Sequence, residues 1–279
     1  MTACESIRVH LSDHYEAHAR LWCPPSPRGA VLYLHGIHSH GQWFERSASA
    51  LAEAGFAILL PDRRGSGRNA QDRGHTPSVR RLLRDIADCL DELHVRTNLD
   101  RFHLLGVSWG GKLALAAYRY LPHRVRSLTL VAPGLFPRVD LPAWQKIRVA
   151  WSLLAARRAL FDIPLNDPQL FTADPDRQRF IRDDPLALRR VTAGFLGASR
   201  QLDRYARGAA QIRGGCPCRV FLGERDRIID NHATRAFVRS LPWPTRDIME
   251  YQGTEHTLEF EPAAGTFITD CVTWLQHCR

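Results

Sequence analysis

The order of apolar segments between residues 30 and 132 restricts this chain to one class of fold. Short apolar runs typical of buried strands occur at 30–35, 56–61, 102–107 and 127–132. Segments with helical periodicity separate them, over about 42–54, 79–95 and 109–121. Repeated β-α units of this kind form a parallel sheet covered by helices on both faces. Two earlier runs, Ile7–Leu11 and Ala17–Cys23, predict an antiparallel hairpin at one edge.

This alternation stops after Gly134 and returns at Cys218. Between them, residues 135–215 are predicted to be largely helical, with several prolines. An insertion between strands of a parallel sheet lies above their carboxyl ends, where such sheets bind ligands. We therefore predict an α/β core formed by residues 1–134 and 216–279, and a helical lid formed by residues 135–215.

A G-x-S-x-G motif at Gly106–Gly110 joins the third of these strands to the following helix. In that context the motif predicts a nucleophile elbow, a sharp turn that exposes a serine hydroxyl at the sheet edge beside the amide-rich start of a helix. Ser108 is therefore the candidate nucleophile.

A serine nucleophile needs a base and an acid that orients the base. Asp226 follows the apolar strand Cys218–Gly223, whereas Asp230, four residues later, is better placed to cap a helix that begins near Asn231. We therefore favour Asp226 as the acid. His256 follows the last predicted strand, 246–251, and gives the chain order Ser, Asp, His that accompanies G-x-S-x-G. His277 and His232 are weaker alternatives, since both lie at predicted helix ends.

On these motifs the sequence resembles the α/β-hydrolase superfamily, and within it the monoacylglycerol lipase and lysophospholipase group, the hydrolase-4 or serine aminopeptidase S33-like branch. The resemblance covers nearly the whole chain. Besides the elbow, it depends on the segments Leu34–Ile37, Asp62–Gly67, Arg73–His75, Gly223–Asp226 and Glu255–Leu258.

The resemblance implies an α/β-hydrolase fold and a role for each matching residue. Ser108 corresponds to the nucleophile, Asp226 to the acid and His256 to the base. The backbone amides of Ile37 and Trp109 correspond to the oxyanion hole, and His35 shapes the oxyanion loop without transferring a proton. Such a triad forms and hydrolyses an acyl-enzyme without a metal or an organic cofactor. We therefore expect an ester hydrolase that needs no cofactor and no obligate protein partner.

The first residues lack the basic start and apolar run of a signal peptide, and no stretch approaches the roughly 18 apolar residues of a membrane span. Cytoplasmic residence is the expectation that follows. The seven cysteines form no C-x-x-C pair and are predicted to be reduced and mostly buried.

The predicted lid contains the main indications about the substrate. Residues 135–215 hold thirteen arginines and Lys146 against eight aspartates, a net charge of +6 out of +9 for the whole chain. This excess is compatible with an anionic substrate, an acidic membrane surface or an acidic partner, although a solvated basic face is the simpler explanation. Trp144, Ile147 and Trp151 recur at helical spacing and are candidate substrate-binding residues. The same stripe is compatible with a lipid interface or with packing onto the core.

Other activities fit the residues less well. The lid has no glutamate to bind a cationic α-amino group, which disfavours an aminopeptidase, and a serine at the elbow disfavours dehalogenases and epoxide hydrolases. A thioesterase, an acyltransferase, a product-tailoring cyclase and a non-catalytic ligand-binding protein all remain open. His35, His38 and His40 lack a fourth ligand for zinc, and no motif supports nucleic-acid binding.

Overall fold

An eight-stranded sheet forms the centre of the computed structural model, which describes residues 2–278. The strands of the structure are β1 (Glu5–His10), β2 (Glu16–Trp22), β3 (Gly29–Leu34), β4 (Phe56–Pro61), β5 (Phe102–Val107), β6 (Val125–Val131), β7 (Leu160–Asp162), β8 (Arg190–Thr192), β9 (Cys218–Gly223) and β10 (Arg246–Tyr251). The central sheet has the order β1-β2-β4-β3-β5-β6-β9-β10. Within this sheet, as described for residues 2–278, only the β1–β2 and β2–β4 pairs are antiparallel, and the β1–β2 pair confirms the predicted edge hairpin.

The helices are α1 (Glu45–Glu53), α2 (Val79–Thr97), α3 (Trp109–Tyr120), α4 (Ala143–Ala155), α5 (Pro175–Asp183), α6 (Ala193–Arg207), α7 (Asn231–Ser240) and α8 (Ala264–His277). Helix α1 packs against β4 and α8, while α2 packs against β3 and α3. The predicted fold class, a mostly parallel sheet surrounded by helices, is confirmed. Across residues 2–278, none of the helices combines the length and the apolar character that crossing a membrane requires.

The local signals in the sequence explain where the core elements begin and end. Every residue of β3, β4 and β5 is buried, as expected for parallel strands that carry helices on both sides. Helix α2 begins after Ser78, whose side chain accepts a hydrogen bond from the amide of Arg81, and ends at Asn98, which adopts a left-handed conformation. The helix predicted from residue 42 begins at Glu45, because Gly41–Phe44 forms a 3-10 turn instead.

The segment between β6 and β9 contains α4, α5, α6 and a two-stranded antiparallel ribbon, in which Leu160 of β7 pairs with Thr192 of β8. The sequence predicted the helices but missed the ribbon, because two strands of three residues are too short to show a period of two. The ribbon joins the end of α4 to the start of α6, since β8 runs directly into that helix. It therefore fixes where these two helices lie relative to each other.

Candidate active site

Ser108 lies in a strained turn between β5 and α3. Its backbone has φ 53° and ψ −121°, a region that costs a residue with a side chain about 1–3 kcal/mol. The turn is tight because two glycines allow close backbone approach. A Cβ on Gly106 would overlap the carbonyl group of Gly110, and a Cβ on Gly110 would overlap the carbonyl oxygen of Leu34. This arrangement places the serine side chain at the carboxyl edge of the sheet and at the start of a helix.

Three backbone hydrogen bonds hold the turn in place. The amide of Ser108 donates to the carbonyl oxygen of Val131 at 2.8 Å, which joins the turn to β6. The Ser108 carbonyl oxygen accepts from the amides of Gly111 at 2.9 Å and Gly134 at 2.7 Å. The strained conformation is thus fixed by the surrounding backbone.

His256 and Asp226 meet at the same edge of the sheet. The Nδ1 atom of His256 lies 2.7 Å from Oδ2 of Asp226, and both side chains are buried. The other carboxylate oxygen, Oδ1, accepts hydrogen bonds from the amides of Ile228 at 2.8 Å and Ile229 at 3.0 Å. The carboxylate is therefore held from two sides. Within residues 2–278, the Nε2 atom of His256 has no hydrogen-bond partner.

Asp230, the alternative candidate for the acid of the triad, lies elsewhere. Its side chain accepts a hydrogen bond from the amide of Ala233 at 3.0 Å and caps the N-terminus of α7. The Ala233 amide also lowers the pKa of this exposed carboxyl. Asp226 is therefore the aspartate that lies next to the candidate base.

Two backbone amides lie near Ser108, that of Ile37 in the loop after β3 and that of Trp109 at the first residue of α3. Neither amide donates a hydrogen bond to another group within residues 2–278. Both residues line the same cavity as Ser108. Gly134 approaches one of these amides closely, because a Cβ built on it would lie 3.2 Å from the Trp109 nitrogen. This glycine was not identified from the sequence, and its only signal was its position after a strand.

His35 fixes the shape of the loop that contains Ile37. Its Nδ1 lies 2.8 Å from the carbonyl oxygen of Gly36, and its Nε2 accepts a hydrogen bond from the amide of Arg63 at 2.9 Å. Burial, together with the Arg63 charge, lowers the pKa of His35 to about 3. A neutral imidazole with both nitrogens engaged in this way orients the loop and has no free nitrogen for proton transfer.

A cavity of about 460 Å³ opens beside Ser108 and extends under the segment between β6 and β9. Its volume is in the range of small-molecule binding sites. Most of its wall is apolar, formed by Pro137, Val139, Leu141, Val149, Ala150, Leu153, Ile163, Leu165, Leu196, Ile228 and Ile229. The polar part of the lining consists of Lys112, Lys146, Arg200, Ser199, Asp140 and Asp203. The cavity thus combines a long apolar wall with a charged region.

Both lysines of the chain line this cavity, whereas the other 36 basic residues are arginines. The ammonium group of Lys146 lies 2.6 Å from the carboxylate of Asp140. Burial lowers the pKa of Lys112, although its pairing with Asp203 opposes this shift. The rarity of lysine was a visible signal in the sequence, but by itself it gave no information about where the two residues lie.

The predicted substrate-binding stripe on α4 faces away from the cavity. Trp144, Ile147 and Trp151 are 56%, 63% and 71% exposed. The opposite face of the helix, with Val149, Ala150 and Leu153, lines the cavity instead. In this structure the tryptophan stripe neither lines this cavity nor packs onto the core, and a role in substrate binding stays a prediction. Both faces of α4 are apolar, so the helical period identified the helix without indicating its inner face.

The three histidines of the loop after β3 do not form a metal site. His35 contacts backbone groups, while Nε2 of His40 lies 2.8 Å from a carboxylate oxygen of Asp184. His38 packs between aromatic rings. Within residues 2–278 there is no group of three or more His, Cys, Asp or Glu side chains that could hold a metal ion.

The position of Ser108, between a central strand and a helix at the carboxyl edge of a mostly parallel sheet, defines an α/β-hydrolase. The chain belongs to the Hydrolase_4 family, described as serine aminopeptidase S33, whose model matches residues 25–263. Membership confirms the resemblance to the hydrolase-4, serine aminopeptidase S33-like branch that was predicted from the sequence.

Individual relatives are distant. The chain is 25% identical over 274 residues to an uncharacterised abhydrolase domain-containing protein of Dictyostelium discoideum, which covers 95% of this chain and 28% of that protein. It spans less than half of the length of the first curated relatives that it matches.

Two solved structures share the fold. A monoacylglycerol lipase of Paleococcus ferrophilus has a TM-score of 0.85 at 23% identity, over 95% of this chain and all of that one. A monoglyceride lipase of Saccharomyces cerevisiae has a TM-score of 0.84 at 19% identity, over 100% of this chain and 96% of that one.

Proposed function

We propose that this protein hydrolyses a carboxylic ester through the triad Ser108, His256 and Asp226. The observation that carries the proposal is the buried pair of His256 and Asp226, 2.7 Å apart, next to a serine whose backbone is held in a strained turn. His256 takes the proton of the Ser108 hydroxyl through its Nε2 atom, while Asp226 holds the imidazole by Nδ1 and stabilises its positive charge. The serine oxygen then attacks the acyl carbonyl carbon.

The amides of Ile37 and Trp109 form the oxyanion hole in this proposal. Neither amide has a hydrogen-bond partner in the described part of the chain, and both residues line the cavity beside Ser108, so the amides are available to the negative charge that develops on the carbonyl oxygen. Each donor of this kind lowers the barrier by about 3 kcal/mol. Collapse of the tetrahedral intermediate releases the alcohol, which takes the proton from His256. Water then attacks the acyl-enzyme by the same sequence of proton transfers.

The substrate proposed is a small acyl ester, such as a monoacylglycerol or a lysophospholipid. Residues 135–215 act as a lid over a core formed by 1–134 and 216–279, because their inner surface supplies much of the cavity wall. The apolar wall suits an acyl chain, and the lysine–aspartate pairs suit a polar or anionic leaving group. Contact between the exposed face of α4 and a lipid surface, and cytoplasmic residence, stay predictions from the sequence.

A fluorophosphonate probe combined with p-nitrophenyl esters of increasing chain length tests this proposal. We expect covalent labelling of the protein and a defined optimum of acyl length. The Ser108→Ala variant should lose both labelling and turnover, by at least about a thousandfold, at an unchanged melting temperature. Ser240→Ala, which alters an exposed serine at the end of α7, is the control and should keep both. A Ser108→Ala variant that remains active would contradict the proposal.

Acyl transfer to an alcohol, an amine or a thiol is the second candidate, since thioesterases, acyltransferases and cyclases use the same triad. The polar residues that line the cavity suit a polar acyl acceptor as well as a polar leaving group. Product analysis in the presence of an acceptor alcohol separates the two reactions.

A further inference from the structure

His38 is a buried imidazole that the proposed triad does not use. Its side chain is 1% exposed, and neither ring nitrogen has a hydrogen-bond partner within residues 2–278. The ring packs against Phe171 at 5.5 Å and Trp43 at 6.0 Å between centroids. Buried polar groups without partners are rare and costly, so such a residue calls for an explanation.

The environment keeps this imidazole neutral. Burial, together with the nearby Arg189 charge, lowers the pKa of His38 to about 4. At neutral pH one ring nitrogen therefore donates a hydrogen bond and the other accepts one. Its backbone is fixed as well, because the His38 carbonyl oxygen accepts a hydrogen bond from the amide of Leu188 at 2.8 Å. His38 can therefore orient a polar molecule in either direction without carrying charge.

A small pocket of about 10 Å³ connects His38 with the candidate triad. Its walls include His38, Ser108 and His256. This volume is close to the space that one water molecule needs. The unpaired nitrogens of the two histidines and the serine hydroxyl supply three polar side chains, and a buried water typically makes about three hydrogen bonds. The pocket thus matches a single water better than an acyl chain.

We propose that His38 positions the water that hydrolyses the acyl-enzyme, and so sets the ratio of hydrolysis to acyl transfer. The inference rests on the proposed function. In this step His256 takes one proton of the water, and the water oxygen bonds to the acyl carbon. The bond between that carbon and Ser108 Oγ then breaks, His256 returns the proton to Ser108, and a carboxylic acid leaves. His38 holds the water by a hydrogen bond and exchanges no proton.

Because the water enters only after the alcohol has left, His38 should affect deacylation and not acylation. We expect His38→Phe, which keeps a ring without nitrogens, to acylate within about threefold of the wild-type rate and to deacylate at least about tenfold more slowly. Stopped-flow measurements on a p-nitrophenyl ester should then show a burst of one equivalent of p-nitrophenol. With methanol present, the ratio of methyl ester to free acid should rise by about tenfold.

Two further variants make the test specific. His38→Gln, whose amide both donates and accepts, should recover part of the deacylation rate. His103→Phe is the matched control, because His103 is buried in β5 and bonds Ser127 at 2.7 Å, away from the cavity. The His103→Phe variant should leave the ratio of methyl ester to free acid unchanged. Should His38→Phe fail to fold, His38→Leu provides the same loss of both nitrogens.

If an active His38 variant lost acylation and deacylation rates equally, or kept the wild-type product ratio, the role of His38 would be overturned. The proposed function would not be affected by that result. A wild-type protein that neither cleaves esters nor reacts with the fluorophosphonate would overturn the proposed function itself, and this inference with it.

Discussion

The ammonium group of Lys112 lies 2.7 Å from the carboxylate of Asp203, which joins the helix after Ser108 to α6. The same ammonium donates to Ser199 Oγ at 3.0 Å, and the indole nitrogen of Trp109 donates to that hydroxyl at 2.9 Å. Trp109 also stacks on Phe195 at 5.3 Å between centroids. Helix α6 is therefore fixed to the core by charge, hydrogen bonds and ring stacking together.

Breaking the lysine–aspartate pair should destabilise the protein strongly. Lys112→Met leaves the carboxylate of Asp203 unpaired, and the side chains are only 8% and 16% exposed, so we expect a loss of about 3 kcal/mol. The double variant Lys112→Met, Asp203→Leu should lose about 2 kcal/mol less than the sum of the single losses. Urea unfolding of all four proteins measures this coupling. Additive losses would mean that the pair contributes nothing as a pair.

The choice between the two aspartates predicts unequal effects on turnover. Asp226→Asn should lower kcat by about four orders of magnitude, because the amide favours the wrong tautomer of His256. Asp230→Asn should change kcat by less than about twofold, since asparagine also caps helices well. Steady-state kinetics on one p-nitrophenyl ester compares both variants. Reversed effects would assign the acid to Asp230.

Gly134 should affect catalysis through the Trp109 amide. The Gly134→Ala methyl group would lie 3.2 Å from that nitrogen and 3.3 Å from the carbonyl group of Ser108, so the amide must shift by a few tenths of an ångström. We expect kcat to fall by about tenfold with little change in melting temperature. Gly265→Ala on α8 is the matched control, because its nearest atom is 4.0 Å away. A Gly134→Ala variant with full activity would show that the Trp109 amide is not part of the oxyanion hole.

The two faces of α4 should respond differently to the same substitution. Leu153→Trp adds volume to the cavity wall and should move the preferred p-nitrophenyl ester to a shorter acyl chain. Leu154→Trp, at the next position, adds the same side chain to a site that is 87% exposed and should leave the preference unchanged. Equal chain-length profiles for the two variants would mean that the acyl chain binds elsewhere.

Three buried histidines should make the protein sensitive to mild acid. Burial is the main cause that lowers the pKa of His35 to about 3, of His38 to about 4 and of His103 to about 3, whereas an unfolded histidine titrates near about 6.5. Below pH 6.5 the unfolded chain therefore binds protons that the folded protein does not, and stability falls as pH decreases.

Between pH 7.5 and pH 5.5 we expect the free energy of unfolding to fall by about 4 kcal/mol. Each of the three histidines contributes about 1.4 kcal/mol to this loss. Urea unfolding at both pH values measures it. His103→Phe should reduce the difference by about a third. An unchanged difference would show that His103 does not contribute.

The order of core elements was predictable because it depends on local patterns. Strand runs such as 56–61 and 102–107 and the motif at Ser108 are contiguous in the sequence, and each is an element of the structure. The proximity of His256 and Asp226 was predictable because both follow strands whose carboxyl ends the parallel topology brings to one edge, and their side chains lie 2.7 Å apart.

The interior of the cavity was not predictable, because it depends on contacts between distant segments. Lys112 and Asp203 are 91 residues apart, and no local pattern relates them. The direction of Trp144 depends on where the β7–β8 ribbon holds α4, and that ribbon was itself missed. In the sequence His38 is one of several histidines in the same loop, and no local pattern distinguishes it from the others.

The two glycines that flank Ser108 limit how this protein can change by mutation. Each occupies a place where even a methyl group would overlap a backbone carbonyl, and backbone cannot move aside as a flexible side chain can. A saturation library at Gly106 and Gly110 should therefore recover glycine alone among active clones. The exposed positions of α4 should accept many residues in the same screen. Mutational tolerance in this chain should thus be lowest at the backbone next to the serine and should increase toward the outer surface of the inserted segment.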